Sequence, residues 1–195
     1  MSTHAIIAFL IYVLINAFTP GPGNILALNT VTNYGWSKGI NLFLGIFTGY
    51  YVVQIICAVF VFGLNELMNP VMFAMKYLGA AYIIYLSFHI AISKPIKSEE
   101  QKSASFFKGF ILQLVNVKIY FFGVTALSGY VVPYKSSLEM LILFELIIAT
   151  VGTIATLTWI LLGKLFRQAY EKHFHVINII LAVMLIQCAF SMLFE

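Results

Sequence analysis

The sequence predicts an all-α integral membrane protein, with six transmembrane helices arranged as two inverted three-helix repeats and broken helices in spans one and four. Three observations lead there. Hydrophobic residues make up 62% of the 195-residue chain and charged residues only 9%, with no aspartate, whereas an ordinary soluble domain is about 25% charged. The apolar residues fall into six segments of spanning length. A single substantial polar linker divides those segments three and three.

The segments are Ala5–Thr30, Gly39–Phe62, Pro70–Ile92, Phe106–Val132, Leu138–Leu162 and Phe174–Phe194. A hydrocarbon core of ~30 Å takes ~20 helical residues to cross, and each segment suffices. A backbone in lipid must satisfy its own hydrogen bonds. Continuous apolar runs do so as helices, while an outer-membrane barrel would show short alternating segments. No basic region precedes the first apolar stretch, which therefore reads as a first span and not as a cleaved signal peptide.

The linker Ser93–Ser105 leaves one transmembrane domain, residues 1–195, with pseudo-repeats about 1–93 and 105–195. Three spans per half give the halves opposite orientations, as in inverted-repeat transporters. Lys38, then Lys94, Lys97, Lys102 and Lys108, then Lys164, Arg167 and Lys172 fall on one side of the expected membrane. Lys76 and Lys135 fall on the other. The excess of cations belongs in the cytoplasm, which puts both termini outside.

The net charge of +4 is too dispersed for a nucleic-acid groove and suits lysines beside anionic lipid headgroups. Cys57 and Cys188 lie in apolar runs and offer neither a disulfide framework nor a metal spacing. A phosphate loop, a His-Glu metal pattern and a nucleophile elbow are all missing from the sequence. An ATP-driven pump and an enzyme are therefore disfavoured, and no cofactor is expected. Small-residue faces make a homodimer an open expectation.

Two interruptions stand out. In span one, Thr19-Pro20-Gly21-Pro22-Gly23-Asn24 combines two prolines, which lack the backbone donor, with two glycines, which permit unusual dihedrals. The helix should break at Pro20, Gly21, Pro22 and Gly23. Such a break is tolerated only against protein or a water-filled cavity. The helix restarting near Asn24 should aim its amides there, a seat for a carboxylate. A packing kink without a ligand is the alternative. In span four, Gln113, Asn116 and Lys118 lie near mid-membrane and cannot share one narrow helix face. Local unwinding at Val115–Val117 would relieve that. A lysine at this depth needs a partner or water; snorkelling to the interface is the competing reading.

Gln54, midway along span two, reads equally as interhelical bond or site residue. Gly45 and Gly49, preceded by Gly35 and Gly39, mark close helix packing. Glu145 is the one acid clearly inside an apolar run. It is a candidate proton carrier, although its nearness to Leu138 favours a place at the outer headgroups. His89, Tyr50, Tyr51, Tyr77, Tyr82 and Tyr85 read as packing or interface residues, and Trp159 as part of a cytoplasmic aromatic belt.

The element Thr19-Pro20-Gly21-Pro22 resembles the LysE/RhtB family of bacterial amino-acid exporters, which carries Pro-Gly-Pro in its first span and Asn-Pro-Lys at the start of its second half. Here the second element is Asn116-Val117-Lys118, with valine in the proline position. Gln113–Ile119, Gly123–Ser128, Asn24–Leu28 and Gly79–Ile83 look like the cysteine/O-acetylserine exporter branch. The resemblance covers nearly the whole chain. It implies export of cysteine, O-acetylserine and similar small neutral amino acids across a bacterial inner membrane, driven by an ion gradient, with the proton the expected coupling ion. By this resemblance Pro20, Gly21, Pro22, Asn24, Asn116 and Lys118 are site residues. With Gln54 and Gln113 added from their position, substrate binding is expected at Asn24, Gln54, Gln113, Asn116 and Lys118. Proton coupling is expected at Lys118 or Glu145. The rival readings are a passive amino-acid channel and a membrane scaffold without transport.

Overall fold

A computed structural model of the chain describes residues 3–63, 65–92, 104–165 and 172–194. Most of the linker, with Lys94, Lys97 and Lys102, and also Arg167, lies outside the described residues. Seven α-helices are present among those described: α1 (Thr3–Phe18), α2 (Pro22–Gly63), α3 (Asn65–Ala91), α4 (Phe106–Leu114), α5 (Val117–Ala126), α6 (Leu138–Leu165) and α7 (Phe174–Phe194). A π-helical turn, Leu127–Val131, extends α5. α2 and α6 are each long and apolar enough to cross a membrane. The pair formed by α4 and Val117–Val131, bent by 53°, supplies a third span if counted as one.

The first break falls where the prolines require it. α1 ends at Phe18 and the chain is non-helical over residues 19–21. Pro22 then opens α2, where its missing N–H costs nothing because that donor has no intrahelical partner. α2 is not one straight rod. Gly35 has φ 72° and ψ 176°, the sole positive φ among the described residues. That backbone is essentially open only to glycine. Gly35 was expected to be a packing glycine. It is instead the turn that divides α2 between the apolar segments expected as spans one and two.

Span four also breaks, without the family proline. Val115 (φ −97°, ψ 2°) ends α4 and Asn116 (φ −83°, ψ 88°) precedes α5. Val117 is thus the first residue of α5. A proline there would forfeit only a donor that the helix leaves unused, so valine serves the same geometry.

Small residues set the packing. A Cβ on Gly45 would strike the carbonyl of Phe106, and one on Gly109 the carbonyl of Leu42, so α2 and α4 cross backbone to backbone. Gly163 of α6 admits Leu28 and Val31 of α2, and Gly152 admits the Tyr50 ring. α3 pairs with α7, where Ser87 Oγ donates to the Ala182 carbonyl at 2.9 Å. Ile7, Leu10, Ile11, Leu14 and Ile15 remain exposed along α1, as suits a helix face in lipid.

Candidate functional site

The break at 19–21 strips five consecutive carbonyls of the amides that would have bonded them, because Pro20 and Pro22 lack N–H groups and the chain leaves the helical path. Four of the five receive a side-chain donor of their own. The first, Asn16 O, lies 3.1 Å from Thr19 Oγ1, whose one proton is shared with the nearer Ile15 O at 2.5 Å. Asn24 Nδ2 donates to Ala17 O at 3.1 Å and to Thr19 O at 3.3 Å. Trp159 Nε1 of α6 donates to Phe18 O at 3.3 Å. Lys118 Nζ of α5 lies 3.5 Å from Thr19 O and donates to Pro20 O at 3.3 Å. Regular helix bonding resumes with Ile25 N to Gly21 O at 2.9 Å. The other end of Asn24 is held too, its Oδ1 accepting from Thr156 Oγ1 at 2.8 Å. Asn24 is therefore an internal stitch of the break. Trp159, expected in an aromatic belt, is a second stitch from α6.

The second break lies against the first. Buried Asn116 donates from Nδ2 to Gln113 Oε1 at 3.2 Å, while its own Oδ1 is buried without a hydrogen-bond partner among the described residues. The breaks meet closely at Gly23, where an added Cβ would lie 3.0 Å from Gln113 Oε1 and that side chain would have to give by a few tenths of an ångström. A Cβ on Gly21 would sit 3.3 Å from Lys118 Nζ.

Two voids flank the Lys118 contact. One is a cavity of about 540 Å³ between α1, α5 and α7. Thr19, Pro20, Pro22, Asn116 and Lys118 line it. The other is a crevice of about 20 Å³ bordered by Gly21, Gly23, Asn24 and Gln113, and again by Asn116 and Lys118. The crevice holds little more than one water; at the amino end of α2, expected to seat a carboxylate, Gly23 and Asn24 border this crevice while Pro22 reaches the larger cavity. Lys118 stands between the crevice and the cavity. The cavity falls in the size range of small-molecule sites.

The expected site residues thus separate. Pro20, Pro22, Asn116 and Lys118 reach the cavity; Gly21, Gly23, Asn24 and Gln113 lie behind it. Gln54 and Glu145 line neither void, meeting instead at the junction of α2, α5 and α6. Glu145 is fully buried, with 0% of its surface exposed. The headgroup position favoured for it is therefore corrected: α6 turns that side chain inward, against Gly123 of α5. Sequence reasoning also missed the cavity walls Tyr12, Asn16, Thr125, Gln187 and Cys188. Tyr12, Asn16 and Thr19 follow a helical i, i+4, i+7 stripe, a signal that was available. Gln187 is an isolated polar residue on α7, with no neighbouring pattern to mark it.

A helical membrane protein with two broken helices meeting at a cavity of this size has the architecture of a multi-pass translocator. Comparison with known proteins agrees. The family model described as LysE type translocator matches residues 14–195, and the chain belongs to this family, making it a membrane translocator and not an enzyme. It is 40% identical over 184 residues to the cysteine/O-acetylserine efflux protein of Salmonella typhi, covering 93% of this chain and 94% of that protein. It is 39% identical over 184 residues to the protein of that name in Escherichia coli O157:H7, with the same coverage. No solved structure matches the chain significantly.

Proposed function

We propose that the chain exports cysteine, O-acetylserine and similar small neutral amino acids from the bacterial cytoplasm by alternating access, using the proton gradient. The single observation that carries this reading is the contact of Lys118 Nζ with the Thr19 and Pro20 carbonyls at the wall of the cavity. An ammonium resting on two carbonyls has the charge pattern that an amino-acid zwitterion can replace at both ends. The substrate carboxylate takes Lys118, because a charge-assisted bond to an anion outweighs one to a neutral carbonyl. The substrate ammonium takes the carbonyls that Lys118 leaves. Substrate entry thereby exchanges a bond between the two breaks for two bonds through the substrate. The movement of one half against the other starts there.

The remainder of the cavity favours uncharged side chains. Tyr12, Phe121, Phe122 and Met184 offer apolar surface, and Asn16, Thr125 and Gln187 offer neutral polar groups. Among the described residues the lining includes no acid to pair a cationic side chain. The names of the relatives supply the cargo.

In this reading the six apolar segments cross the inner membrane as two inverted repeats, with the turn at Gly35 in the cytoplasm and both termini outside. A bond from Ala104 N–H to Lys38 O at 2.8 Å supports placing the start of α4 beside that turn. The test is efflux from vesicles holding the purified protein and labelled cysteine or O-acetylserine, with lysine as control, under imposed pH gradients. Uphill movement of the neutral amino acids that collapses with an uncoupler is expected. Strictly downhill movement would instead mean a passive channel, and absence of flux a scaffold.

A further inference from the structure

A second polar cluster lies away from the cavity, where α2, α5 and α6 meet. Gln54 of α2 and Glu145 of α6 are both 0% exposed. Gln54 Oε1 and both carboxyl oxygens of Glu145 have no hydrogen-bond partner among the described residues. The two side chains converge on the bare Cα of Gly123 in α5. A Cβ there would lie 2.8 Å from Glu145 Oε1 and would collide with Gln54 Oε1. The amide and carboxyl oxygens can be no farther apart than those two short reaches placed end to end.

All three oxygens are acceptors when the carboxyl is ionised. A buried carboxylate facing an amide oxygen leaves every one of them unsatisfied. A proton on Glu145 supplies the missing donor. Turning the Gln54 amide over supplies one as well, but at a cost on its other side, because Gln54 Nε2 points to the Ile119 carbonyl at 3.5 Å. Reversal would set an oxygen against that carbonyl. The orientation of one amide therefore depends on whether Glu145 holds a proton. Ile119 follows Lys118 directly and lies in the first turn of α5, just beyond the break. Around the carboxyl, Tyr50 and Cys57 of α2 are the titratable groups that feel its charge. Tyr120 of α5 contributes its carbonyl to Cys57 Sγ at 3.8 Å. No cation among the described residues acts on Glu145.

We propose that Glu145 is a proton-binding site and that Gln54 is the relay that reports its occupancy to α5. With the proton bound, Glu145 donates to Gln54 Oε1 and Gln54 Nε2 holds Ile119 O. When the proton leaves to water, Gln54 turns and Nε2 donates to the carboxylate. The hold on Ile119 is lost, and the first turn of α5 is free to shift with Lys118. Gly123 is the position that lets the carboxyl and amide meet. This proposal rests on the export reading for its transport arm and is independent of it for its spectroscopic arm.

The test uses the full chain, purified and returned to vesicles, as wild type, Glu145→Gln and Gln54→Met. Amino-acid exchange without a gradient and efflux driven by a pH gradient are measured side by side. The carboxyl C=O band is followed by infrared difference spectroscopy through a pH titration. The wild type is expected to show a protonated-carboxyl band that Glu145→Gln lacks. In Gln54→Met that band persists, displaced toward a carboxyl without a hydrogen-bonded neighbour. Both variants are expected to keep exchange and lose about tenfold of the response to the pH gradient, a typical coupling between two sites. Wild-type gradient response in both variants, a band unchanged by Glu145→Gln, or driving by sodium in place of protons each overturns the proposal. A wild-type protein that moves no amino acid sinks the export reading alone, because the infrared arm still reads the proton site; should Gln54→Met fail to fold, the wild type and Glu145→Gln still decide it.

Discussion

The ammonium of Lys118 rests 3.3 Å from the carbonyl oxygen of Pro20, so the first helix break is completed in part by a residue from beside the second. This joins what the sequence separates by 98 positions. Pro20 leaves carbonyls without donors, and the break at Asn116 brings a lysine to the depth where they lie. A charged group at that depth is costly unless it is paired or reaches water. Here it has both, two carbonyls and a cavity wall.

Replacing Lys118 by methionine keeps much of the stem and removes the charge. It leaves Pro20 O without its donor and takes away the proposed partner of the substrate carboxylate. Charge-assisted bonds contribute about 1.5–3 kcal/mol, so binding of cysteine or O-acetylserine should weaken about tenfold to a hundredfold. Efflux from vesicles should fall at least as far, with the protein still monodisperse in detergent. Lys118→Arg should retain part of both, since it keeps the charge. Wild-type efflux in Lys118→Met would remove this residue from the transport path.

Asn24→Leu tests the stitch. The change strips donors from Ala17 O and Thr19 O and leaves the Thr156 hydroxyl with one partner, the Gly152 carbonyl. A buried group left unsatisfied costs about 1–3 kcal/mol, and the loss should appear as earlier thermal unfolding in detergent. Trp159→Phe removes a donor from Phe18 O alone. Its effect should be smaller, about 0.5–1.5 kcal/mol. Equal melting of both variants and wild type would mean that water or lipid headgroups satisfy these carbonyls.

Much of this was legible in the sequence, and unevenly so. The first break could be read directly, because proline and glycine act on the backbone at their own positions. The second was harder, because Val117 carries no local signal for a break and the crowding of Gln113, Asn116 and Lys118 gave the hint. Glu145 was misplaced because distance along a helix says nothing about which way a side chain points. Gly35 was read as packing, since a turn made by one glycine between two apolar helices looks like a small-residue motif. Trp159 and Gln187 were beyond reach. Their roles depend on which helices become neighbours, and one sequence does not state those pairings.

Gly35→Ala should be costly in a way that Gly63→Ala is not. Gly35 holds φ 72° and ψ 176°, a region that costs a residue with a Cβ about 1–3 kcal/mol. At Gly63 a Cβ would meet nothing within 4 Å among the described residues. Thermal unfolding of the two variants in the same detergent separates the strain from any general effect of adding a methyl group. Matching midpoints would mean that the turn relaxes to another conformation.

Val117→Pro restores the family residue and tests why the second break forms. Proline pushes its predecessor out of the helical region toward extended backbone. Asn116 has φ −83° and ψ 88°, already out of the helical region and about 30° in ψ from the range a following proline favours, and Val117 opens α5, where the N–H is not used by the helix. Proline also reduces the freedom of the unfolded chain, a gain of about 0.4–1 kcal/mol at compatible sites. It fills the buried site less fully than valine, a loss of similar size. Val117→Pro should therefore unfold within about 1 kcal/mol of the wild type and keep its efflux. Ile119→Pro, two residues on, removes the N–H that bonds Asn116 O at 3.0 Å. That variant should lose both stability and transport. Collapse of Val117→Pro to the same degree would show that the valine amide is in use and that the break is held by something other than the geometry at Asn116.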